Sequence, residues 1–413
     1  MHALSLLVAA GIAVAAPAPG CKPQYPGKIT NIQVGPRPFW LVDQMEDSAL
    51  KTELAACSEK PIRHAPFFSI SHRGGPVQFP EHSREGLYMG ARMGAGVLEC
   101  DVAFTSDRQL VCRHSQCDLH TTTDILLKPE LAAKCTTPFT PATADSSATA
   151  KCCTSDITHE EFLSLCAKMD SSNPNATTPE EYQYGGPSWR TTLYDNCATT
   201  IDHKTFINIT NSLGLQFTPE LKTPEVEMPF QGEYTQEMYA QQLIDEYKEA
   251  GINPKRVWPQ SFLEDDILYW IKAEPTFGKQ AVYLDPRVDT PEGYEVAVAA
   301  MEDLYEQGVR VMAPPIFALL NTSADGEIVP SSYATAAKEA GMDIITWSLE
   351  RSGPLKQAAA AGEYYIATIA DVIKGDGDMY RIVDALARKV GVKAIFSDWP
   401  ATVTYYANCV GLA

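Results

Sequence analysis

The chain predicts an α/β fold, a (β/α)8 TIM barrel, and three observations carry that expectation. Eight short apolar runs begin near residues 67, 97, 215, 256, 281, 309, 343 and 393, alternating with helix-like segments. Residues able to do chemistry gather at the ends of those runs, the rim on which such barrels build their sites. His72 ends the first, Glu99 and Asp101 lie late in the second, and Glu220 and Lys222 end the third. Gln260 and Ser261, Asp285, Trp347 and Asp398 continue the series at runs four, five, seven and eight. Finally, the first strand-to-helix turn has no G-x-G-x-x-G fingerprint, which disfavours a doubly wound sheet, and no solenoid repeat recurs.

Residues 1–17 read as a secretory signal: an apolar core over 3–16 followed by P-A-P-G, although no Lys or Arg precedes the core. The core is too short to span a bilayer, and no stable membrane anchor is expected. Residues 18–66 form a Pro-rich lead-in with one helix over 47–56. Strand 1 covers 67–71. The next helix carries Leu87, Met89, Ala91 and Met93 and stops at Gly94-Ala95-Gly96 before strand 2, 97–103. A turn at Thr105 to Gln109 is short enough only for an antiparallel return, so a hairpin follows strand 2. If the turn centres on Asp107-Arg108, residue 114 stands opposite residue 101. Residues 118–204 break the rhythm with Thr, Ser, Ala, Pro and Cys, and read as a disulfide-tied insertion on the barrel mouth. Regular alternation resumes at Thr205, so the barrel spans 67–413 around this interruption.

The hairpin holds the chemistry. On a strand, Glu99 and Asp101 project to one face while Leu98, Cys100 and Val102 project to the other. Two buried carboxylates on one face need a counter-charge. A divalent cation held by hard oxygen ligands, Mg²⁺ or Ca²⁺, supplies it more readily than Zn²⁺. The proposed register sets the His114 imidazole beside Asp101. His72 ends strand 1, and Arg73 directly after it offers a fork of donors suited to a phosphate oxygen. Lys222 shares the Glu220 face and can neutralise the same anion. Among the other histidines, His64, His82, His120, His159 and His203 are expected on the surface or in structural roles, with His120 nearest the mouth.

These pieces form a pattern: H-R-G at 72–74, P-E at 80–81, E-x-D at 99–101, a His thirteen residues past the Asp, E-L-K at 220–222 and S-D-W-P at 397–400. Together they resemble the glycerophosphodiester phosphodiesterases over residues 67–406. The resemblance implies hydrolysis of a glycerophosphodiester to an alcohol and glycerol 3-phosphate, with His72 and His114 as general acid and base. It implies Glu220 as a third metal ligand beside Glu99 and Asp101, and Arg73 and Lys222 on the phosphate. Trp347 would wall the alcohol, and Glu81 would support the ligands from behind or join them. Two departures stand out: Ser115 follows His114 where the family usually has Asp, and P-E-H-S replaces P-E-N-T. Competing readings are a phospholipase D-like or cyclising lyase on the same barrel, a secreted glycoside hydrolase and a non-catalytic binding protein.

Composition sets the compartment and partners. A net charge of −19 lacks the positive footprint that nucleic acid requires, and the partner the resemblance implies is a small phosphodiester. Eleven cysteines and the sequons at Asn175, Asn208 and Asn321 fit a secreted, extracellular protein. The odd count leaves one thiol unpaired in the chain, and Cys100 is the expected one. Cys112 and Cys117 are close enough to staple the hairpin end.

Overall fold

In the computed structural model, residues 27–413 are described, apart from residue 196. The signal expected over 1–17 and the sequon-free stretch around Cys21 lie outside the described residues. Eight parallel strands form the barrel: Ala65–Ser71, Ala95–Phe104, Gln216–Leu221, Gln260–Ser261, Val282–Tyr283, Val311–Met312, Asp343–Leu349 and Ala394–Ser397. They are called strands 1 to 8 below. Each pairs with the next, and strand 1 pairs with both strand 8 and strand 2, so the sheet closes. Strand 4 begins four residues later than the apolar pattern suggests, because Pro254–Arg256 turns as a 3-10 helix and only Val257 bridges to Phe217.

Alternation along each strand divides two cores. Ile70, Val97, Val282, Val311, Ile345, Ala394 and Phe396 fill the barrel interior. Leu98, Cys100 and Val102 face outward into the larger layer between strands and helices. Burying such side chains removes apolar area worth about 25 cal/mol per Å². Helix starts follow their capping residues: Ser83, Asp202, Thr235 and Ser331 each accept a hydrogen bond from a backbone N–H in the first turn. The lead-in holds a helix at Ala49–Ala55, close to the expected one, and a second at Arg37–Asp43 that the sequence pattern did not reveal.

The hairpin after strand 2 returns over Leu110–Cys112, but its register differs from the expected one. Val102 pairs with Cys112 and Phe104 with Leu110. Thr105 N donates to Gln109 O and Arg108 N to Thr105 O, so the loop has three residues, and Arg108 takes a positive φ of 60°. A three-residue loop ending in a left-handed residue shifts the pairing by one relative to a two-residue turn. A one-residue shift exchanges the faces of every side chain on the return strand. Cys112 therefore joins Cys100 on the outer face, and the two form a disulfide. This corrects the expectation of a free Cys100. It also corrects the Cys112–Cys117 staple, since Cys117 pairs with Cys153. With five disulfides among the described residues, the eleventh cysteine is Cys21.

Between the hairpin and strand 3, short helices and two small antiparallel sheets gather around their own apolar cluster, including Ile125, Leu131, Ile157, Phe162 and Tyr182. Cys117–Cys153, Cys135–Cys152 and Cys166–Cys197 cross-link this stretch. Cys57–Cys409 joins the lead-in to the last helix, Ala401–Val410, across a sequence separation of 352. Closing so long a loop restricts the unfolded chain. The double variant Cys57→Ser/Cys409→Ser is expected to lose about 2–5 kcal/mol of unfolding free energy. Urea titration of the two proteins checks this; equal stabilities would refute it.

Candidate active site at the barrel mouth

Register brings the acidic residues together. Asp101 lies beside Glu220 across strands 2 and 3, and Glu220 lies beside Gln260 across strands 3 and 4. Glu99 sits two residues before Asp101 on the same face. Ligand oxygens of Glu99, Asp101 and Glu220 all fall within 4.8 Å of one another, and all three residues are buried. Glu99 Oε2 accepts the Arg73 backbone N–H at 2.8 Å, and Oε1 accepts Gln260 Nε2 at 3.3 Å. Asp101 Oδ2 pairs with His82 Nε2 at 2.7 Å and lies 3.5 Å from Arg73 Nε. Lys222 Nζ stands 2.5 Å from Glu220 Oε1, a close ion pair.

The proton affinities of the three diverge. Burial, then the like charges of Asp101 and Glu220, push the Glu99 carboxyl well above its ordinary range. Burial also pushes Glu220 up, to about 8, against the pull of Lys222. For Asp101 burial acts upward too, but Lys222, His82 and Arg73 outweigh it and hold the group well below its ordinary value. Asp101 Oδ1 is buried without a hydrogen bond, whereas Glu220 Oε1 is held by the Lys222 ammonium. Clustered hard oxygens with unfilled lone pairs and raised proton affinities fit a Mg²⁺ or Ca²⁺ ion.

The loop after strand 1 is shaped to deliver its donors. Arg73 and His82 hold positive φ angles of 52° and 51°, which is uncommon for residues with a side chain. Gly74 has φ 103°, and a Cβ there would lie 2.8 Å from the Gly86 backbone, so the helix Arg84–Arg92 can approach only a glycine. The Arg73 carbonyl accepts His82 N–H at 3.0 Å, tying the two donors together.

His72 is buried at the end of strand 1. Its Nδ1 is 2.5 Å from Asp398 Oδ1, just past strand 8, while Nε2 is 3.5 Å from Ser348 Oγ and 4.0 Å from Glu99 Oε2. Burial, then Arg73, lowers its pKa to about 4 despite Asp398. The ring is therefore neutral near pH 7, and a proton on Nδ1 directed at Asp398 leaves the Nε2 lone pair free. His114 is half-buried, and among the described residues nothing hydrogen-bonds its ring. Burial, then Arg73 and Lys222, hold its pKa well below the ordinary value. The residue before it is anchored: Arg113 N donates to Asp101 O at 2.8 Å and Arg113 Nη1 to Glu81 O at 2.9 Å. The shifted hairpin register thus puts Arg113, not His114, nearest the Asp101 backbone, yet His114 still turns into the same cavity.

That cavity, about 170 Å³, is lined by His72, Arg73, Glu99, His114, Glu220 and Lys222 on its polar side. Phe262, Leu284, Trp347, Tyr365 and Phe396 form the other wall, with Gln260 and Arg351 at the edge. Glu81 lies behind it, buried, with Arg73 Nη1 and Arg351 Nη1 each 3.2 Å away. Asp285 and Ser261 do not join: Asp285 binds Arg287 and Tyr333, and Ser261 donates to Asp266. His64, His159 and His203 sit in local structural contacts, and His120 accepts Cys152 N–H within the insertion. His82 is structural as expected, but its contact with Asp101 went unseen; the Asn-to-His departure in P-E-H-S was the available signal. The place of Asp398 on the rim was readable, its pairing with His72 was not, and Arg351 and Arg190 had no motif to mark them.

The family model of the glycerophosphoryl diester phosphodiesterases matches residues 72–402. The chain belongs to this family. A protein from Arthroderma benhamiae named "Extracellular protein" is 54% identical over 245 residues, 59% of this chain and 100% of its own length. A Silicibacter pomeroyi chain assigned as a glycerophosphoryl diester phosphodiesterase superposes with a TM-score of 0.55 at 15% identity, covering 85% of this chain and 95% of its own, and shares the fold. The glycerophosphodiester phosphodiesterase of Agrobacterium tumefaciens gives 0.45 at 12%, covering 82% and 99%. For this phosphodiesterase, an extracellular relative and five disulfides bear out the extracellular placement.

The crowding of acids has a measurable consequence in metal-free protein. A carboxyl whose folded pKa is about 8 favours folding in its acid form, so its contribution is present below pH 4.5 and lost as pH rises through 8. In chelator, Glu220→Gln is expected to flatten this loss and to melt above the parent chain at pH 9. Differential scanning calorimetry at pH 6 and 9 reads it; a variant that melts lower at pH 9 would contradict the assignment.

Proposed function

We propose that the protein hydrolyses glycerophosphodiesters to a free alcohol and glycerol 3-phosphate, with a divalent cation held by Glu99, Asp101 and Glu220. The observation that carries this reading is the sharing of one small cavity by two uncoordinated imidazoles, two cations and the acidic cluster. When bound, the cation would withdraw charge from the phosphoryl oxygens and lower the barrier to attack. Arg73 and Lys222 add fixed positive charge at the same place, and the bound phosphate replaces the water that would otherwise screen them.

His72 serves as the base. Asp398 fixes its tautomer, and the Nε2 lone pair takes a proton from the attacking hydroxyl; if this is water, glycerol 3-phosphate forms directly, and if it is the glycerol's own, a cyclic phosphate forms as the alcohol leaves and a water then opens it to glycerol 3-phosphate. His114 serves as the acid at the leaving alcohol. In the free enzyme Arg73 and Lys222 oppose its protonation; an anionic phosphodiester between them relieves that opposition and lets the ring carry a proton. Phe262, Trp347 and Tyr365 give the alcohol an apolar wall.

Three measurements test the scheme with glycerophosphocholine, glycerophosphoinositol and a lysolipid as substrates. His72→Ala and His114→Ala are each expected to lower kcat about 10²- to 10⁴-fold with the fold intact; near-native turnover by either removes that residue. Exhaustive chelation should abolish activity and Mg²⁺ or Ca²⁺ should restore it, whereas full activity without metal defeats the cation. Asp398→Asn should lower kcat about 10- to 100-fold with KM little changed. Accumulation of a stable cyclic phosphate as sole product would turn the reading to a lyase.

A further inference from the structure

The insertion does more than lie over the mouth. Its segment 187–199 is fastened to the barrel at several points. Trp189 packs on Gly353, where a Cβ would come within 2.6 Å of the indole. Thr191 N donates to Val77 O at 3.0 Å, and Tyr194 stacks on Phe79 with centroids 4.5 Å apart. Thr199 N and Oγ1 both reach Glu85, and Cys166–Cys197 closes the far side.

This fastening holds one guanidinium inside. The Arg190 side chain is only 8% exposed. Its Nη2 lies 3.4 Å from Asp398 Oδ2, and its Nη1 lies 3.8 Å from Glu81 Oε1 and 4.0 Å from Asp170 Oδ2. Arg351 Nη1 reaches the same Asp398 oxygen at 3.0 Å and the same Glu81 oxygen at 3.2 Å. Glu81 and Asp398 are thus enclosed by Arg73, Arg190 and Arg351. The other Asp398 oxygen is the one on His72 Nδ1. Arg190 does not line the cavity; its route to the reacting groups runs through these carboxylates.

We propose that Arg190, supplied by the insertion, is a positioning residue for the reaction: by holding Asp398 Oδ2 it keeps Oδ1 on His72 Nδ1 and the ring in its reactive tautomer. Burial opposes ionisation of Asp398, and Arg351, His72 and Arg190 overcome it, taking its pKa down to about 2. A buried carboxylate that loses one of two guanidinium partners gains freedom to rotate away from the imidazole. The insertion on this view completes the barrel's catalytic apparatus, which the barrel strands and their loops alone do not.

The inference rests on the phosphodiesterase reading, and its test separates the two. Full-length wild type, Arg190→Ala, Arg190→Lys, Asp398→Asn and the double variant Arg190→Ala/Asp398→Asn are compared with glycerophosphocholine. Arg190→Ala is expected to lower kcat about 10- to 100-fold with KM nearly constant. Arg190→Lys and added free guanidinium should each recover part of the loss. In the Asp398→Asn background the same truncation should change kcat no more than about twofold, since partners acting as a unit are non-additive. Wild-type kcat in Arg190→Ala, a loss confined to KM, or an equal loss in both backgrounds would overturn the proposal. A second readout does not need turnover: the downfield Nδ1 proton of His72 in the ¹H NMR spectrum should persist in Arg190→Lys and vanish in Arg190→Ala. Its persistence in Arg190→Ala refutes the positioning role, whereas an inactive wild type with the expected NMR behaviour refutes only the phosphodiesterase reading.

Discussion

Three carboxylates buried within reach of one ion form the constraint on which the rest of this molecule depends. Two like charges about 4 Å apart repel by about 4 kcal/mol at the effective dielectric of a protein site. That is a large part of the net stability of a typical domain, about 5–15 kcal/mol. Glu99, Asp101 and Glu220 are placed by the parallel register of strands 2 and 3, which ordinary backbone pairing fixes. The fold cannot move them apart without breaking that register. It must compensate them in place, and much of the mouth can be understood as compensation.

The compensation comes from several directions and is incomplete. Arg73 and His82 arrive from one loop, at the expense of two strained backbone positions. Lys222 arrives from the strand that carries Glu220. These groups settle Asp101 as an anion but leave Glu99 and Glu220 with raised proton affinity. A site that were merely structural would be expected to finish the task with one more cation. The buried acidic triad offers oxygens that one divalent ion could share. Strain and frustration concentrated at one rim of an otherwise well-packed barrel is the distribution expected of a functional site.

Much of this was legible in the sequence because it is written in local periodicity. The eight strands, their order and the shared face of Glu99 and Asp101 follow from alternation and spacing. His72 was singled out by its strand end and the H-R-G beside it, and Glu220 mainly by the family resemblance, and the fold brings both to the mouth. What escaped depended on details with no periodic signal. The hairpin loop has three residues instead of two because Arg108 adopts a left-handed conformation, which its side chain does not advertise; that single residue moved Cys112 onto the face of Cys100. Asp398 stood on the rim, but its pairing with His72 crosses 326 residues of chain. Arg351 lies in a loop, and Arg190 lies in the insertion, where no barrel rule applies.

The surface charge sharpens the role of that last group. With a net charge of −19, the protein repels an anionic phosphodiester at long range, yet such repulsion fades within about 8 Å at physiological ionic strength. On the proposed reading capture is local, by the Arg73 and Lys222 side chains that line the cavity, and the cluster behind it acts on the reaction only through His72. Around Glu81 and Asp398 three guanidinium groups gather, Arg73, Arg190 and Arg351, and one of the three belongs to the insertion, where Asp170 also faces it. Without that segment Asp398 Oδ2 would keep Arg351, at 3.0 Å, and lose Arg190, at 3.4 Å. On the positioning role proposed for Arg190, enclosing the carboxylate keeps its other oxygen on His72. The disulfides of the insertion then acquire a reason beyond general stability: the guanidinium is useful only if the loop that carries it cannot swing away.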